Sequence, residues 1–142
     1  MPAARIGASE EERLADLYRY GILDTPPEET FDRIASLAVD LLNVPTAFVS
    51  FIDRDRQWFK TRTGLELPQT HRDRAFCAHT ILGDNILVVP DAARDDRFGD
   101  NPLVLGPPFI RFYAGAPLCS SQGYRIGTLA VADSIPRPGG LT

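Results

Sequence analysis

The sequence predicts one α+β domain, with helices and strands in separate groups along the chain. Its 142 residues, 44% of them hydrophobic and 24% charged, suit a single globular domain with a buried core. Two segments with helical caps and helical spacing come first, and a series of β-rich runs follows them. Because short polar turns join several of these runs, we expect antiparallel pairing rather than alternating βαβ units.

Both expected helices lie near the N-terminus. The first begins at Ser9, where Glu12 completes a capping box, and stops at Gly21. The second begins at Thr25, an N-cap followed by proline, and ends at the turn over residues 43–45. The apolar residues of the second segment recur at helical spacing, so it is the clearest helix of the sequence.

The β-rich runs and one short helix make up the rest of the domain. We predict strands at residues 46–52, 57–63, 86–90, 112–119 and 126–133, and a short helix at 75–82. In the first strand both alternating sets of side chains are largely apolar, which indicates a central strand covered on both faces. Residues 66–74 are polar and irregular, and residues 91–109 hold few regular signals. A segment as long as 91–109 in a compact domain is typically functional or mobile.

Charge and hydropathy argue against several classes of partner. The net charge of −4 lacks the basic footprint of a nucleic-acid-binding protein. No apolar run approaches the roughly 18–20 residues that span a bilayer, and residues 1–7 lack the apolar stretch of a secretion signal. We therefore expect a cytoplasmic protein without nucleic-acid or membrane partners. Its two cysteines, Cys77 and Cys119, are expected to be reduced.

Cys77 and His79, two residues apart, raise the question of a metal site. Such a pair supplies at most two ligands, whereas a tetrahedral zinc site has three or four, so we expect no bound metal. We interpret Cys77 as a small buried residue and His79 as a hydrogen-bonded one. The sequence also contains no nucleophile elbow, zinc-protease motif or glycine-rich phosphate loop, which argues against hydrolytic catalysis.

A series of short motifs extends over residues 9–137. They are Glu12-Arg13-Leu14, Gly21-Ile22-Leu23-Asp24-Thr25-Pro26, Phe51-Ile52-Asp53, Gln57-Trp58-Phe59-Lys60, Phe76-Cys77-Ala78-His79-Thr80-Ile81, Val89-Pro90-Asp91-Ala92, Asp96-Arg97-Phe98, Asn101-Pro102, Ile110-Arg111-Phe112-Tyr113-Ala114-Gly115-Ala116-Pro117-Leu118 and Gly127-Thr128-Leu129. Taken together, the chain resembles a GAF domain of the type found at the N-terminus of bacterial sensor histidine kinases and diguanylate cyclases.

The resemblance implies a particular arrangement of layers. We expect an antiparallel sheet of five or six strands with terminal helices on one face. The short helix and the long loop would lie over a small-molecule pocket on the other face. A single domain would cover residues 1–137, and residues 138–142 would form a flexible tail or the start of a linker to an output domain that this sequence does not contain.

The resemblance also implies a function. We expect a non-catalytic, small-molecule-sensing regulatory domain of bacterial signal transduction, such as a two-component system. It would form a homodimer through terminal helices and be joined covalently to a kinase or cyclase output domain. An exposed apolar stripe of Leu14, Leu17 and Tyr18 on the first helix supports the dimer. Because family members bind many different effectors, the small-molecule effector and any cofactor stay unassigned.

Two alternatives remain open at this stage. The domain could be a dimerisation scaffold without a ligand. It could also resemble the free methionine-sulfoxide reductases with a GAF fold, because Cys77 lies about where one of their cysteines sits. That chemistry needs a nucleophilic thiolate and a resolving thiol. Residues 91–109 contain no cysteine, which leaves only Cys119, in or after a strand.

The candidate pocket residues come from the motifs that the resemblance places near the roofed face. They are Phe51, Trp58, Phe76, Cys77, His79, Asp91, Phe98, Arg111 and Tyr113. The aromatic residues among them could equally be ordinary core. Arg72, Arg74, Arg97 and Arg111 could converge on the mouth of the pocket and hold a carboxylate or phosphate. Alternatively, these arginines pair with nearby aspartates, among them Asp73, Asp91, Asp95 and Asp96, and brace the loop.

Overall fold

The computed structural model describes residues 3–141. Met1, Pro2 and Thr142, which fall in the predicted domain and tail, lie outside the described residues. The elements are α1 (Glu10–Arg19), α2 (Glu29–Leu42), β1 (Thr46–Ile52), β2 (Arg56–Thr63), β3 (Gln69–His71), α3 (Cys77–Thr80), β4 (Leu87–Val89), α4 (Pro102–Leu105), β5 (Phe112–Cys119) and β6 (Arg125–Asp133).

The strands form one antiparallel sheet in the order β3-β2-β1-β6-β5-β4. The central strand β1 pairs with β2 from Ala47 to Ile52 and with β6 on its other side. β5 and β6 form a long hairpin whose register runs from Phe112 opposite Asp133 to Cys119 opposite Arg125. This sheet confirms the predicted α+β class and gives the strand number as six.

Both N-terminal helices cover one face of the sheet. α2 lies over a cluster that includes Ala35, Ala47 and Phe112, and α1 places Leu17 against a neighbouring cluster on the same face. No helix from the C-terminal side joins them within residues 3–141, because the chain after β6 forms bends and turns up to Leu141. Within the described residues, both helices on this face therefore precede the sheet in the chain.

The predicted exposed apolar stripe on α1 is wrong. Leu14 and Leu17 are 1% and 0% exposed because they pack against the sheet. Tyr18 is exposed, and its hydroxyl donates a hydrogen bond of 2.6 Å to Asp53. These residues therefore do not support a dimer interface.

The predicted caps of both helices need correction. Ser9 makes no side-chain capping hydrogen bond. Thr25 is not the N-cap of α2, which begins at Glu29. Instead the hydroxyl of Thr25 accepts a hydrogen bond of 2.7 Å from the buried ammonium of Lys60, which also bonds to Pro26 O at 2.7 Å. The segment that joins the helices is thus held to β2 in a non-helical conformation.

The face opposite the helices is covered by short segments, which we call the roof. The roof consists of residues 64–68, α3 and residues 91–110, and the last of these contains α4. Its side chains pack on the sheet in one cluster that includes Phe76, Phe98 and Tyr113. The long segment without regular signals is therefore ordered and buries Ala92, Phe98 and Val104 in the core, although many of its other residues are exposed. Asn101 caps α4 by accepting a hydrogen bond of 2.9 Å from the backbone N–H of Leu103.

Candidate functional site

A small void lies between the roof and the sheet. Its volume is about 20 Å³, which is room for a single water molecule. Its lining combines aromatic and aliphatic side chains with a few polar ones: Phe48, Gln57, Phe59, Leu65, Leu67, Thr70, Phe76, Cys77, Leu103, Ile110 and Tyr113. The roofed space is therefore nearly filled by the protein's own side chains in this conformation.

A buried polar network lies beside the void. The hydroxyl of Tyr113 lies 2.8 Å from the hydroxyl of Thr80 and 3.2 Å from Cys77 Sγ. Thr128 on β6 donates a hydrogen bond of 2.8 Å to the same sulfur. The network thus connects α3 to β5 and β6, and it gives these buried polar groups hydrogen-bond partners.

The network continues across the centre of the sheet. The hydroxyl of Ser50 lies 3.0 Å from that of Thr128 and donates a bond of 3.0 Å to Gln57 Oε1. Gln57 in turn donates a hydrogen bond of 3.1 Å to Thr70 on the edge strand β3. Gln57 and Thr70 therefore line the void together with Tyr113 and Cys77.

Gly115 makes room for the position of Tyr113. The two residues lie two apart on β5, so their side chains point to the same face of the sheet. The ring of Tyr113 lies across Gly115, where an added Cβ would stand only 2.2 Å from the tyrosine oxygen. A glycine at this position lets the Tyr113 hydroxyl reach Cys77 and Thr80.

Five of the candidate residues lie together in the roof and on β5. The rings of Phe76 and Phe98 stack at 4.2 Å with an angle of 4°, and Phe76 contacts Tyr113 at 5.0 Å. His79 meets Phe98 edge to face at 4.9 Å. Cys77 lies among them, fully buried. The motif around residues 76–79 therefore does point into the roofed space.

The structure corrects the placement of Phe51 and Trp58. Both lie on the opposite face, in the cluster under α1. Phe48 and Phe59 take the positions on the roof side instead. Side chains alternate between the faces of a strand, so neighbouring aromatic residues that are one or three positions apart point to opposite sides.

Asp91 and Arg111 pair with each other rather than lining the void. Their carboxylate and guanidinium groups form two hydrogen bonds of 2.7 and 2.9 Å. The hydrogen bond from Arg111 lowers the pKa of Asp91. Arg97 pairs in the same way with Asp95 and lowers the pKa of that carboxyl. The alternative interpretation, in which these arginines brace the loop, is confirmed for both pairs.

Sequence reasoning missed the leucines of the roof. Leu67 lies in the stretch 66–74 that reads as polar and irregular, Leu65 directly precedes it, and Leu103 lies in the long segment. Leucines two apart in an otherwise polar loop are a weak signal, because the sequence does not say which surface they cover. The turn that brings them over the sheet is set by Gly64, whose φ of +76° suits glycine.

An open groove lies over the void. It has a volume of about 540 Å³ and is lined by residues 64–67 together with Pro107 and Pro108. Leu65 and Leu67 line both the groove and the void. These two side chains therefore separate the buried space from the outside at this point.

The two cysteines have contrasting surroundings. Burial raises the pKa of the Cys77 thiol, and hydrogen bonds from Thr128 and Tyr113 offset this only in part. Cys119 is exposed at the far end of β5. Tyr113, which touches Cys77, is six residues from Cys119, and at about 3.3 Å per residue this is about 20 Å. The arrangement does not supply the thiolate and nearby resolving thiol that a reductase needs.

We expect a thiol reagent such as DTNB to modify Cys119 quickly and Cys77 only after unfolding. The reason is that Cys77 is fully buried and held as the neutral thiol. Absorbance of the released thiolate measures the reaction, with one thiol per chain expected in the native protein. The Cys119→Ser variant is the control. Rapid labelling of that variant in its native state would contradict the buried position of Cys77.

The fold and the site define a class of domain: a six-stranded antiparallel sheet with helices on one face and a roofed, nearly filled space on the other. The GAF domain family profile matches residues 26–142. The chain therefore belongs to the GAF domain family.

Known proteins of similar sequence and structure agree with this assignment. The chain is 44% identical over 128 residues to a cyclic di-GMP phosphodiesterase of Pseudomonas aeruginosa. The match covers 90% of this chain and 22% of that protein, so the chain spans about a fifth of its relative's length.

Solved structures resemble the fold at low sequence identity. The GAF domain of an Acinetobacter phosphoenolpyruvate-protein phosphotransferase has a TM-score of 0.60 at 16% identity, and the match covers 89% of this chain and 79% of that one. Free methionine-R-sulfoxide reductase of Neisseria meningitidis has a TM-score of 0.62 at 17% identity, covering 97% and 84%. At these identities the likeness concerns the fold alone.

The described residues contain neither a candidate membrane-spanning helix nor a candidate metal site. None of the helices within residues 3–141 is both long and apolar enough to cross a membrane. In the same part of the chain, no three His, Cys, Asp or Glu side chains gather so that they could hold a metal ion.

Proposed function

We propose that this GAF domain is a non-catalytic sensory module that binds a small, mostly apolar molecule beneath the roof and regulates an output domain joined to it. The observation that carries the proposal is that the void and the groove share Leu65 and Leu67. A shift of these two side chains joins the spaces. The groove's 540 Å³ already falls in the range of small-molecule pockets.

The lining of the void indicates the chemistry of the ligand. Most of its walls are aromatic or aliphatic, and the polar groups of Gln57, Thr70, Cys77 and Tyr113 already bond within the protein. A ligand that broke these hydrogen bonds would leave buried polar atoms without partners, which costs free energy. The ligand is therefore mainly apolar, with at most one or two polar groups.

Weak attachment of one part of the roof, residues 64–68, supports a switching mechanism. Residues 64–68 are tied to the sheet by long hydrogen bonds, from Thr46 to Gly64 O at 3.4 Å and from Phe59 N to Pro68 O at 3.3 Å. A ligand that binds one arrangement of the roof more tightly shifts the population toward it. In our proposal the ligand-bound arrangement of residues 91–109 alters the position of the helices on the other face.

We propose that the domain acts as a cytoplasmic homodimer within a longer signalling protein. On α2 the apolar side chains of Ile34, Leu37 and Leu41 are 40%, 57% and 73% exposed, and they form a stripe suited to a second copy. The phosphodiesterase relative is about five times longer than its match to this chain, which supports an attached output domain that acts on a signalling nucleotide.

We also propose that the domain spans residues 1–137 and that residues 138–142 begin the linker. The last strand ends at Asp133, but ordered contacts continue to Arg137. Its guanidinium donates to Leu42 O at 3.0 Å and to Asn43 O at 2.5 Å, at the C-terminal end of α2. A linker that starts beyond Arg137 is thus tied directly to the helical face.

The second candidate function is a dimerisation scaffold without a ligand. The void of about 20 Å³ favours it, because no ligand larger than water fits unless the roof moves. The two candidate functions differ in whether the roof can move to admit a small molecule.

Indole is a suitable probe, since it is apolar and carries one hydrogen-bond donor. We expect indole to shift the backbone amide resonances of Leu65, Leu67 and Leu103 in the ¹⁵N-labelled protein. The Leu103→Trp variant places a larger side chain in the wall of the void, so the shifts of Leu65 and Leu67 should disappear. Leu105→Trp, on the same helix but 66% exposed and outside the lining, should preserve them.

Native mass spectrometry of freshly purified protein complements the titration by reporting retained small molecules and the number of subunits. If indole moves none of the three resonances and no small molecule is retained, the scaffold function replaces the sensory one.

A further inference from the structure

A second cleft lies at a different place in the fold, where the N-terminal segment crosses the end of the sheet. Its volume is about 440 Å³. Its lining comes from the N-terminal segment with α1, from Arg72, from the two residues that follow α3, and from the turn between β5 and β6 with the first residue of β6. The residues are Arg5, Gly7, Ala8, Ser9, Glu10, Arg13, Arg72, Ile81, Leu82, Gly123, Tyr124 and Arg125. It shares no lining residue with the void beneath the roof or with the open groove over that void.

The cleft carries an excess of positive charge in an acidic protein. Four arginines line it, namely Arg5, Arg13, Arg72 and Arg125, and Glu10 is the one acidic residue of the lining. The chain as a whole has a net charge of −4. The local excess is thus a feature of this cleft and not of the overall composition.

Two of the arginines are buried and share one carboxylate. Arg13 and Arg72 are 6% and 5% exposed. Arg13 contacts Glu10 at 2.9 Å and Arg72 contacts it at 2.6 Å. One negative charge therefore serves two buried guanidinium groups, and a buried charge is costly unless it is neutralised. Backbone carbonyls of Asp53, Arg54 and Arg125 accept further hydrogen bonds from these two side chains but carry no charge, so an anion in the cleft would improve the charge balance.

The other two arginines have hydrogen-bonding capacity to spare. Arg5 forms no ion pair or side-chain hydrogen bond among residues 3–141. Arg125 donates from Nε to Ile81 O and from Nη1 to Asp84, each at 2.6 Å. Among the described residues nothing bonds to its Nη2, and Asp84 is a weak competitor because its side chain is 82% exposed.

We propose that this cleft binds the phosphoryl group of a small phosphate ester, such as a nucleoside monophosphate. Guanidinium groups match phosphate oxygens in a bidentate way, and a doubly charged phosphate offsets most of the positive charge that Glu10 leaves unbalanced. The volume of 440 Å³ suits a small molecule rather than a lone ion. The organic part of the ester lies against Ile81, Leu82 and Tyr124.

Calorimetric titration at constant ionic strength tests this proposal, with AMP, inorganic phosphate and adenosine as the probes. We expect AMP to bind, phosphate to bind more weakly and adenosine not to bind. Arg5→Gln should weaken AMP binding about tenfold, because it removes a charged hydrogen-bond donor from a residue outside every helix and strand. Arg125→Gln should act in the same direction if circular dichroism shows that it folds.

Arg33→Gln is the matched control, since it removes one positive charge from the exposed face of α2. It should leave the affinity for AMP unchanged. Binding of phosphate but not of AMP would overturn the proposal of a phosphate ester, because the cleft would then hold only the free anion. The proposal is overturned if neither binds at 10 mM or if adenosine binds as tightly as AMP. It is also overturned if Arg5→Gln and Arg33→Gln have equal effects.

Discussion

Replacing Phe98 by alanine is expected to lower the free energy of unfolding by about 3–5 kcal/mol. Phe98 is fully buried although it lies in the long segment that has few regular signals in the sequence. Its ring stacks on Phe76 at 4.2 Å and meets His79 edge to face at 4.9 Å. Because the roof contains only short helices, we expect this aromatic stack to supply much of the energy that holds residues 91–110 on the sheet.

Urea unfolding followed by circular dichroism measures the effect of Phe98→Ala. The fluorescence of Trp58 gives a second probe from the helical face of the sheet. Phe109→Ala is the control, because Phe109 lies in the same segment but is 51% exposed. We expect it to change the free energy of unfolding by no more than about 0.5 kcal/mol. Equal effects of the two substitutions would mean that the long segment is not packed as described.

The central strands could be predicted from the sequence almost to the residue. β1 and β5 begin and end where the apolar β-rich runs indicate, and β2 and β6 each begin one residue earlier. These strands carry a long local signal because they are buried on both faces. β3 has only three residues, lies at the edge of the sheet and is half exposed, so no apolar pattern marks it.

The helix boundaries show where tertiary contacts override local signals. Thr25 followed by proline fits an N-cap, yet α2 begins at Glu29. The buried ammonium of Lys60 takes the Thr25 hydroxyl and the Pro26 carbonyl as hydrogen-bond acceptors. A side chain more than thirty positions away decides this boundary, and capping statistics do not contain that information.

The candidate site was predictable in its centre and not at its edges. The motif from Phe76 to His79 identifies the roof's inner surface correctly. The choice between Phe48 and Phe51 depends on which face of β1 meets the helices, and both faces are apolar. Leu65 and Leu67 are brought over the sheet by a loop whose path no local pattern specifies.

Replacing Glu10 by glutamine is expected to lower the free energy of unfolding by about 3 kcal/mol at pH 7, because it leaves Arg13 and Arg72 buried without a carboxylate. Burial alone would raise the pKa of Glu10, but hydrogen bonds from Arg13 and Arg72 outweigh it and lower the pKa to about 2. A carboxyl whose pKa falls on folding stabilises the native state above the unfolded pKa of about 4.5.

The pH dependence separates this ion pair from an ordinary packing defect. The contribution of Glu10 should be lost as the pH falls from about 5 towards 2, so the difference between the native protein and Glu10→Gln should shrink over that interval. Urea unfolding at several pH values measures it. Glu11→Gln is the control, since Glu11 pairs with Arg54 at the exposed surface, where such pairs contribute at most about 1 kcal/mol. A difference in the free energy of unfolding between the native protein and Glu10→Gln that stays constant from pH 7 to pH 2.5 would contradict the charge-based account. A constant difference would indicate a packing defect, because the cost of poor packing does not depend on the protonation of Glu10.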